Sequence, residues 1–218
     1  NDVRKGLTST PKYLLPKYFY DAHGSILFEE ITALPEYYVA RAEEQILSST
    51  IGNLMFTIDP GEIIEIGSGS STKTRAFFDS RVNPSKAMRY IPMDVSESML
   101  RGSALEILRD YPFLEILGIV GDFERDLPHI PNSSHRRLVL FLGSTLGNLD
   151  HANRHMFLSN IRKLMNDGDR FLLGVDLVKD FNVLHAAYND AAGITAQFNL
   201  NILNVLNQSL HAHFELDS

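Results

Sequence analysis

Four short apolar runs are each followed directly by residues able to do chemistry. The run 62–66 ends in Gly67-Ser68-Gly69-Ser70-Ser71-Thr72, where two glycines let the backbone turn tightly and approach a ligand before a helix begins. The run 89–93 ends at Asp94, a carboxylate placed to accept hydrogen bonds from ribose hydroxyls. The run 115–120 leads into Gly121-Asp122-Phe123, a carboxylate for an adenine amino group and an aromatic ring for its face. The run 138–142 opens into Gly143-Ser144-Thr145-Leu146-Gly147-Asn148, in which two glycines admit a substrate and an amide can bind a carboxylate or an amine. Each segment alone has a plain structural reading: a capping Asp, a core Phe, a strand-to-helix turn with Asn148 capping the next helix. Their succession points to a nucleoside-type ligand. The third glycine of the dinucleotide fingerprint falls at Thr72 and is missing, which argues against a bound pyrophosphate and a dinucleotide oxidoreductase.

Positioning these residues requires parallel strands with helices between them. Apolar runs at 62–66, 89–93, 115–120, 137–142 and 170–177 predict five strands, alternating with amphipathic helices at 72–79, 96–109 and 152–165. That is an α/β fold, a parallel sheet with helices on both faces. In such a sheet the ligand binds outside the carboxyl ends of the strands, where the four segments lie. The first fifty residues differ: Tyr13, Tyr18, Phe19, Tyr20, Phe28, Tyr37 and Tyr38 lie among Pro11, Pro16, Gly24 and Pro35, with helices expected at 25–33 and 38–54. Most of these rings are expected to pack a core or lid. Beyond Phe181 a helical stripe of Ile202, Leu203, Val205, Leu206 and Leu210 runs to about His213.

The 218 residues are 44% hydrophobic and 22% charged, the balance of a globular chain. Twenty Lys and Arg against 27 Asp and Glu leave a charge of −7, the wrong sign for a nucleic-acid or anionic-membrane binder. No apolar run approaches a membrane span and no signal peptide is visible, so a cytoplasmic location is expected. The absence of cysteine removes disulfides, thiolate metal sites and a Cys nucleophile. His151 and His155 have a zinc-compatible spacing but no Cys near them, and no metal is expected. Lys73 lies near glycines without the spacing of a nucleotide-triphosphate loop.

The order of glycine-rich loop, acid and Asp-aromatic resembles the Rossmann-like core of class I S-adenosylmethionine methyltransferases. Longer runs resemble one family more closely: residues 7–12 (LTSTPK), 18–21 (YFYD), 34–38 (LPEYY), 65–74 (EIGSGSSTKT), 121–124 (GDFE), 141–148 (FLGSTLGN) and 176–180 (DLVKD) match the histidine-specific Nα-methyltransferases that open ergothioneine biosynthesis. The resemblance covers essentially the whole chain. It implies methylation of the α-amino group of L-histidine to trimethylhistidine (hercynine), with S-adenosyl-L-methionine held by Gly67, Ser68, Gly69, Lys73, Asp94, Asp122, Phe123 and Gly143. It further implies that Tyr37, Asn148 and Tyr188 bind the substrate's amino and carboxylate groups, and that Tyr20 lines the pocket beside the reacting amine, making Tyr20 and Tyr37 the catalytic pair. The expected organisation is a substrate-covering helical segment at 1–55, the cofactor core at 56–180 and the helical start of a substrate region at 181–218. The resemblance also implies roughly another hundred residues beyond Ser218, carrying the last strands and the groups that read the imidazole ring. A monomer acting on a small amino acid is expected. A relative acting on a tryptophan derivative, and a module that binds the cofactor without turnover, are the competing expectations.

Overall fold

A computed structural model describes residues 1–83 and 85–216. In chain order the helices are α1 (Asp2–Thr8), α2 (Ala22–Ala33), α3 (Tyr38–Ile58), α4 (Arg75–Asp79), α5 (Glu97–Asp110), α6 (Phe123–Asp126), α7 (His151–Leu164), α8 (Phe181–Tyr188) and α9 (Ile194–Leu210). The strands are β1 (Glu62–Ile66), β2 (Met88–Asp94), β3 (Leu114–Ile116), β4 (Ile119–Val120), β5 (Arg137–Phe141) and β6 (Arg170–Leu173). The chain divides into two compact units, one of residues 39–178 and one of residues 1–38 with 179–218.

The first unit is built on an all-parallel sheet in the order β3-β2-β1-β5-β6, with β4 also on β2. Strand order reverses between β1 and β5, so the crevice where a ligand can enter lies at their carboxyl ends. The apolar runs are continuous because both faces are covered. Ile63, Tyr90, Leu138 and Leu140 point to one face, where they meet Leu47, Ile51 and Met55 of α3, Phe77 and Phe78 of α4 and Ile107 of α5. Ile64, Ile66, Ile91, Met93, Val139 and Phe141 point to the other, against Phe157 and Ile161 of α7. Each such side chain, removed from water, contributes about 1.5–3 kcal/mol of transfer free energy.

Two strands depart from the sequence pattern. The run 115–120 is interrupted at Leu117 and Gly118, yet both halves keep one register on β2, Ile116 opposite Tyr90 and Ile119 opposite Met93. Pro92 explains the gap. Tyr90 and Asp94 use their carbonyls toward this side, accepting from Leu117 N (3.0 Å) and Gly121 N (2.9 Å), and Pro92 between them has no N–H to donate. The run 170–177 ends as a strand at Leu173. Gly174 N still donates to Phe141 O at 2.9 Å, but Asp176 N is captured by Ser144 Oγ at 2.9 Å, which draws the chain onto the loop after β5. As an edge strand, β6 pairs only with β5 among the described residues.

In the second unit the expected single helix beyond Phe181 is two. Gly193, with φ of +75°, breaks the pattern, and Asp190 restarts it by accepting from Ile194 N (2.9 Å) and Thr195 N (2.8 Å). Burial pushes the Asp190 carboxyl up, but these bonds and the Thr195 hydroxyl outweigh it and hold its pKa at about 2. α9 packs on α2 through Asn201, whose Nδ2 donates to Asp21 Oδ1 at 2.8 Å while that oxygen also caps α2 by accepting from Gly24 N at 2.7 Å.

Candidate active site

The glycine-rich turn sits on β2. Gly67 N and Ser68 N both donate to Met93 O, at 2.8 and 3.1 Å, which aims the turn outward from the carboxyl end of the sheet. Gly67 (φ +69°) and Gly69 (φ +51°) occupy the left-handed region, and a Cβ on either would meet open space, so the glycines answer to backbone conformation and to whatever fills that space. Asp94 lies beneath: Oδ2 accepts from Gly69 N at 2.8 Å and Oδ1 from Ser96 N at 2.9 Å. Burial raises its pKa, against the opposing effect of those two backbone bonds. Ser68 Oγ is buried with no hydrogen-bond partner among the described residues. An open left-handed turn, a carboxylate at its base and an orphaned hydroxyl fit a nucleoside cofactor that supplies the missing partners.

Behind the turn, Glu65 is buried. The Tyr90 hydroxyl donates to Glu65 and lies 2.8 Å from Ser71 Oγ. Burial drives the Glu65 pKa from 4.5 to about 7, with the Tyr90 hydrogen bond and the Lys73 ammonium pulling the other way. The folded pKa is raised, so the group's stabilising contribution is fully present below pH 4.5 and is lost as pH rises through about 7. Glu65→Gln, a neutral isostere, is therefore expected to unfold like the wild type at pH 4 and to be more stable by about 3 kcal/mol at pH 8. Urea unfolding at the two pH values checks this; equal gains at both would show that the carboxylate is not the destabilising species.

The remaining expected cofactor residues are at neighbouring strand ends. Gly121 N is tied to Asp94 O, and Asp122, buried, caps α6 by accepting from Glu124 N at 3.0 Å. Phe123 packs edge-on against Phe141 (5.2 Å) and Phe157 (5.6 Å), so its half-buried ring leans on the sheet's core cluster from outside. After β5, Gly143 (φ +76°) and Ser144 (φ +61°) are both left-handed. Serine there is strained, and such strain concentrates at ligand-handling loops. Asn148 is exposed at the end of a short 3-10 turn and does not cap α7; Asp150 does, accepting from Asn153 N at 2.8 Å. Lys73 is paired with Glu43 of α3, which sequence reading passed over. His151 and His155 gather no group of metal-ligating side chains among the described residues.

The helical unit assembles the three tyrosines that the resemblance singled out. Tyr37, 7% exposed, meets Tyr188 edge-on at 5.9 Å, and Tyr188 is 52% exposed. Tyr37 continues to Phe28 at 6.3 Å, and Phe28 to Tyr20 at 5.5 Å, with Phe198 of α9 against Tyr20 and Phe28. Phe28 and Phe198 were not singled out, since a ring on a helix reads as core. Tyr18 instead donates to Asp2, and Tyr38 lies beneath the Lys179 ammonium at 4.8 Å.

A family model described as histidine-specific methyltransferase, SAM-dependent, matches residues 1–218. This chain belongs to that family. The methyltransferase is 49% identical over 217 residues to the histidine N-alpha-methyltransferase of Mycolicibacterium smegmatis and 46% identical to that of Mycobacterium tuberculosis, each alignment taking in 100% of this chain and 67% of the relative. The ergothioneine biosynthesis protein 1 of Neurospora crassa is 32% identical over 202 residues, 91% of this chain and 23% of that protein. Among solved structures, the CurJ carbon methyltransferase superposes with a TM-score of 0.53 at 19% identity, covering 84% of this chain and 50% of the other. The DszA carbon methyltransferase gives 0.52 at 16%, covering 71% and 39%. These structures share the fold, that of class I methyltransferases. No helix among the described residues is long and apolar enough to cross a membrane.

Proposed function

We propose that this methyltransferase places successive methyl groups on the α-amino nitrogen of L-histidine, giving hercynine for ergothioneine biosynthesis, as a monomer in the cytoplasm. The family membership supports the reaction class. The observation that carries the site assignment is the open left-handed turn at Gly67 and Gly69 seated on Asp94 at the strand-order reversal. Bound S-adenosylmethionine supplies a sulfonium methyl, an electrophile that needs no activation by an acid. With the cofactor bound, Gly67, Ser68, Gly69 and Gly143 would offer backbone and hydroxyl groups to it, Asp94 would accept from its ribose, Asp122 and Phe123 would lie toward its adenine, and Lys73 would meet its carboxylate.

The substrate amine must be neutral to attack, and an α-amino group titrates near 8, so positioning rather than a strong base carries most of the rate. Tyr37, Tyr188 and Asn148 bind the amino and carboxylate groups. Tyr20 and Tyr37 present ring faces on which a growing methylammonium is stabilised, and a tyrosine hydroxyl or water takes the released proton.

Incubating the full-length protein with S-adenosylmethionine and an equimolar mixture of free amino acids tests this without presupposing the substrate. Mass spectrometry should find up to three methyl groups on histidine and none elsewhere. Methylation of tryptophan in its place would overturn the substrate assignment and leave the cofactor site; binding of S-adenosylhomocysteine with no transfer at all would leave only a cofactor-binding module.

A further inference from the structure

Lys73 and Gly143, two residues of the cofactor set, are held by one acidic side chain of a distant element. Lys73 Nζ forms an ion pair with Glu43 Oε2, and the other oxygen of the same carboxylate accepts from Gly143 N at 2.8 Å. Glu43 precedes these partners by 30 and 100 residues in the chain. A single carboxylate of α3 therefore joins the loop after β1 to the loop after β5, the two loops that flank the strand-order reversal. The Glu43 side chain is 13% exposed, and its seat is shaped for it: a Cβ on Gly174 would lie 2.1 Å from Oε1 and 3.2 Å from Leu142 Cα. Only a glycine at 174 leaves room for that oxygen.

Both oxygens have distinct work. One carries charge toward a lysine that would otherwise sample many rotamers, and ordering that side chain in advance removes a cost from ligand binding. The other fixes a left-handed loop by accepting its backbone N–H, a bond strengthened by the carboxylate's charge. The pairing also offsets the Lys73 charge close to a ligand that itself carries a sulfonium cation.

We propose that Glu43 is a positioning residue for methyl transfer, a two-point clasp that presents the Lys73 ammonium to the carboxylate of the cofactor's amino-acid end and holds the Gly143 loop in its reactive shape. This rests on the cofactor reading of the site given above.

The test is a thermodynamic cycle on the full-length protein, using calorimetric binding of S-adenosylhomocysteine together with steady-state methylation. Glu43→Gln keeps an acceptor for Gly143 N and loses the charge facing Lys73, so S-adenosylhomocysteine affinity should fall about tenfold with kcat nearly unchanged. Lys73→Met should cost about the same, and the double variant should cost little more than either alone, because Glu43 acts through Lys73. Gly174→Ala, which expels the carboxylate without altering its charge, should lower both affinity and kcat. Multiplying losses in the double variant, or a lowered melting temperature with unchanged affinity, would reduce Glu43 to a structural brace and overturn the proposal. Should Gly174→Ala fail to fold, the cycle decides alone. Failure of the wild type to bind S-adenosylhomocysteine is a different outcome, which overturns the cofactor reading itself and this inference with it.

Discussion

Arg137→Met is expected to destabilise the sheet unit by about 3–5 kcal/mol, read as a lowered urea midpoint with an unchanged slope. Arg137 and Glu62 are both 0% exposed at the amino ends of β5 and β1, with Nε to Oε1 at 2.6 Å. The guanidinium also donates to Leu164 O at 3.0 Å and to Pro131 O, while Arg137 N donates to Asp169 Oδ1 at 2.8 Å. Methionine fills similar volume but strands the Glu62 carboxylate, leaving Arg89 at 3.4 Å as a weak partner. Two carbonyls lose their donor as well. Removing both charges, in Glu62→Leu with Arg137→Met, should recover part of the loss, since no unpaired charge is then buried. S-adenosylhomocysteine affinity of the folded variants should stay at the wild-type value, because the pair lies at the end of the sheet opposite the glycine-rich turn. Loss of less than 1 kcal/mol in the single variant would mean that water reaches Glu62 and the pair is not a closed one.

Asp94→Ala should weaken S-adenosylhomocysteine binding by about a hundredfold or more. Asp94, half-buried, would accept from two ribose hydroxyls in charge-assisted bonds of about 1.5–3 kcal/mol each, and the substitution also frees Gly69 N and Ser96 N from their shared anchor. Asp94→Asn keeps an acceptor and removes the charge, so its loss should be intermediate. Calorimetric titration measures both, with melting temperatures to separate loop collapse from lost ligand contacts. Affinity within threefold of wild type in the alanine variant would remove Asp94 from the binding site.

Much of the sheet unit was legible because its signals are local. The continuous apolar runs of β1 and β5 are what burial on both faces demands, and the glycines at 67, 69 and 143 mark left-handed turns that few other residues adopt. The motif runs from 7–12 to 176–180 carried the family, and with it the cofactor and the reaction class. The interruption of the run 115–120 was hidden because its cause, Pro92, is in the neighbouring strand, and the end of β6 was hidden because its cause is Ser144 on another loop.

What the tertiary structure alone decided is which polar groups meet. Nothing in the helical pattern of α3 distinguishes Glu43 from Glu44, yet packing turns Glu43 toward Lys73 and Gly143 and leaves Glu44 exposed. In the same way Arg137 reads in sequence as a polar strand boundary, and only the sheet register brings it to Glu62, 75 residues away. Local spacing determines turns, periodicity and the residues available for chemistry, since these depend on neighbours along the chain. Ion pairs and shared acceptors depend on neighbours in space, and the fold must exist before they do.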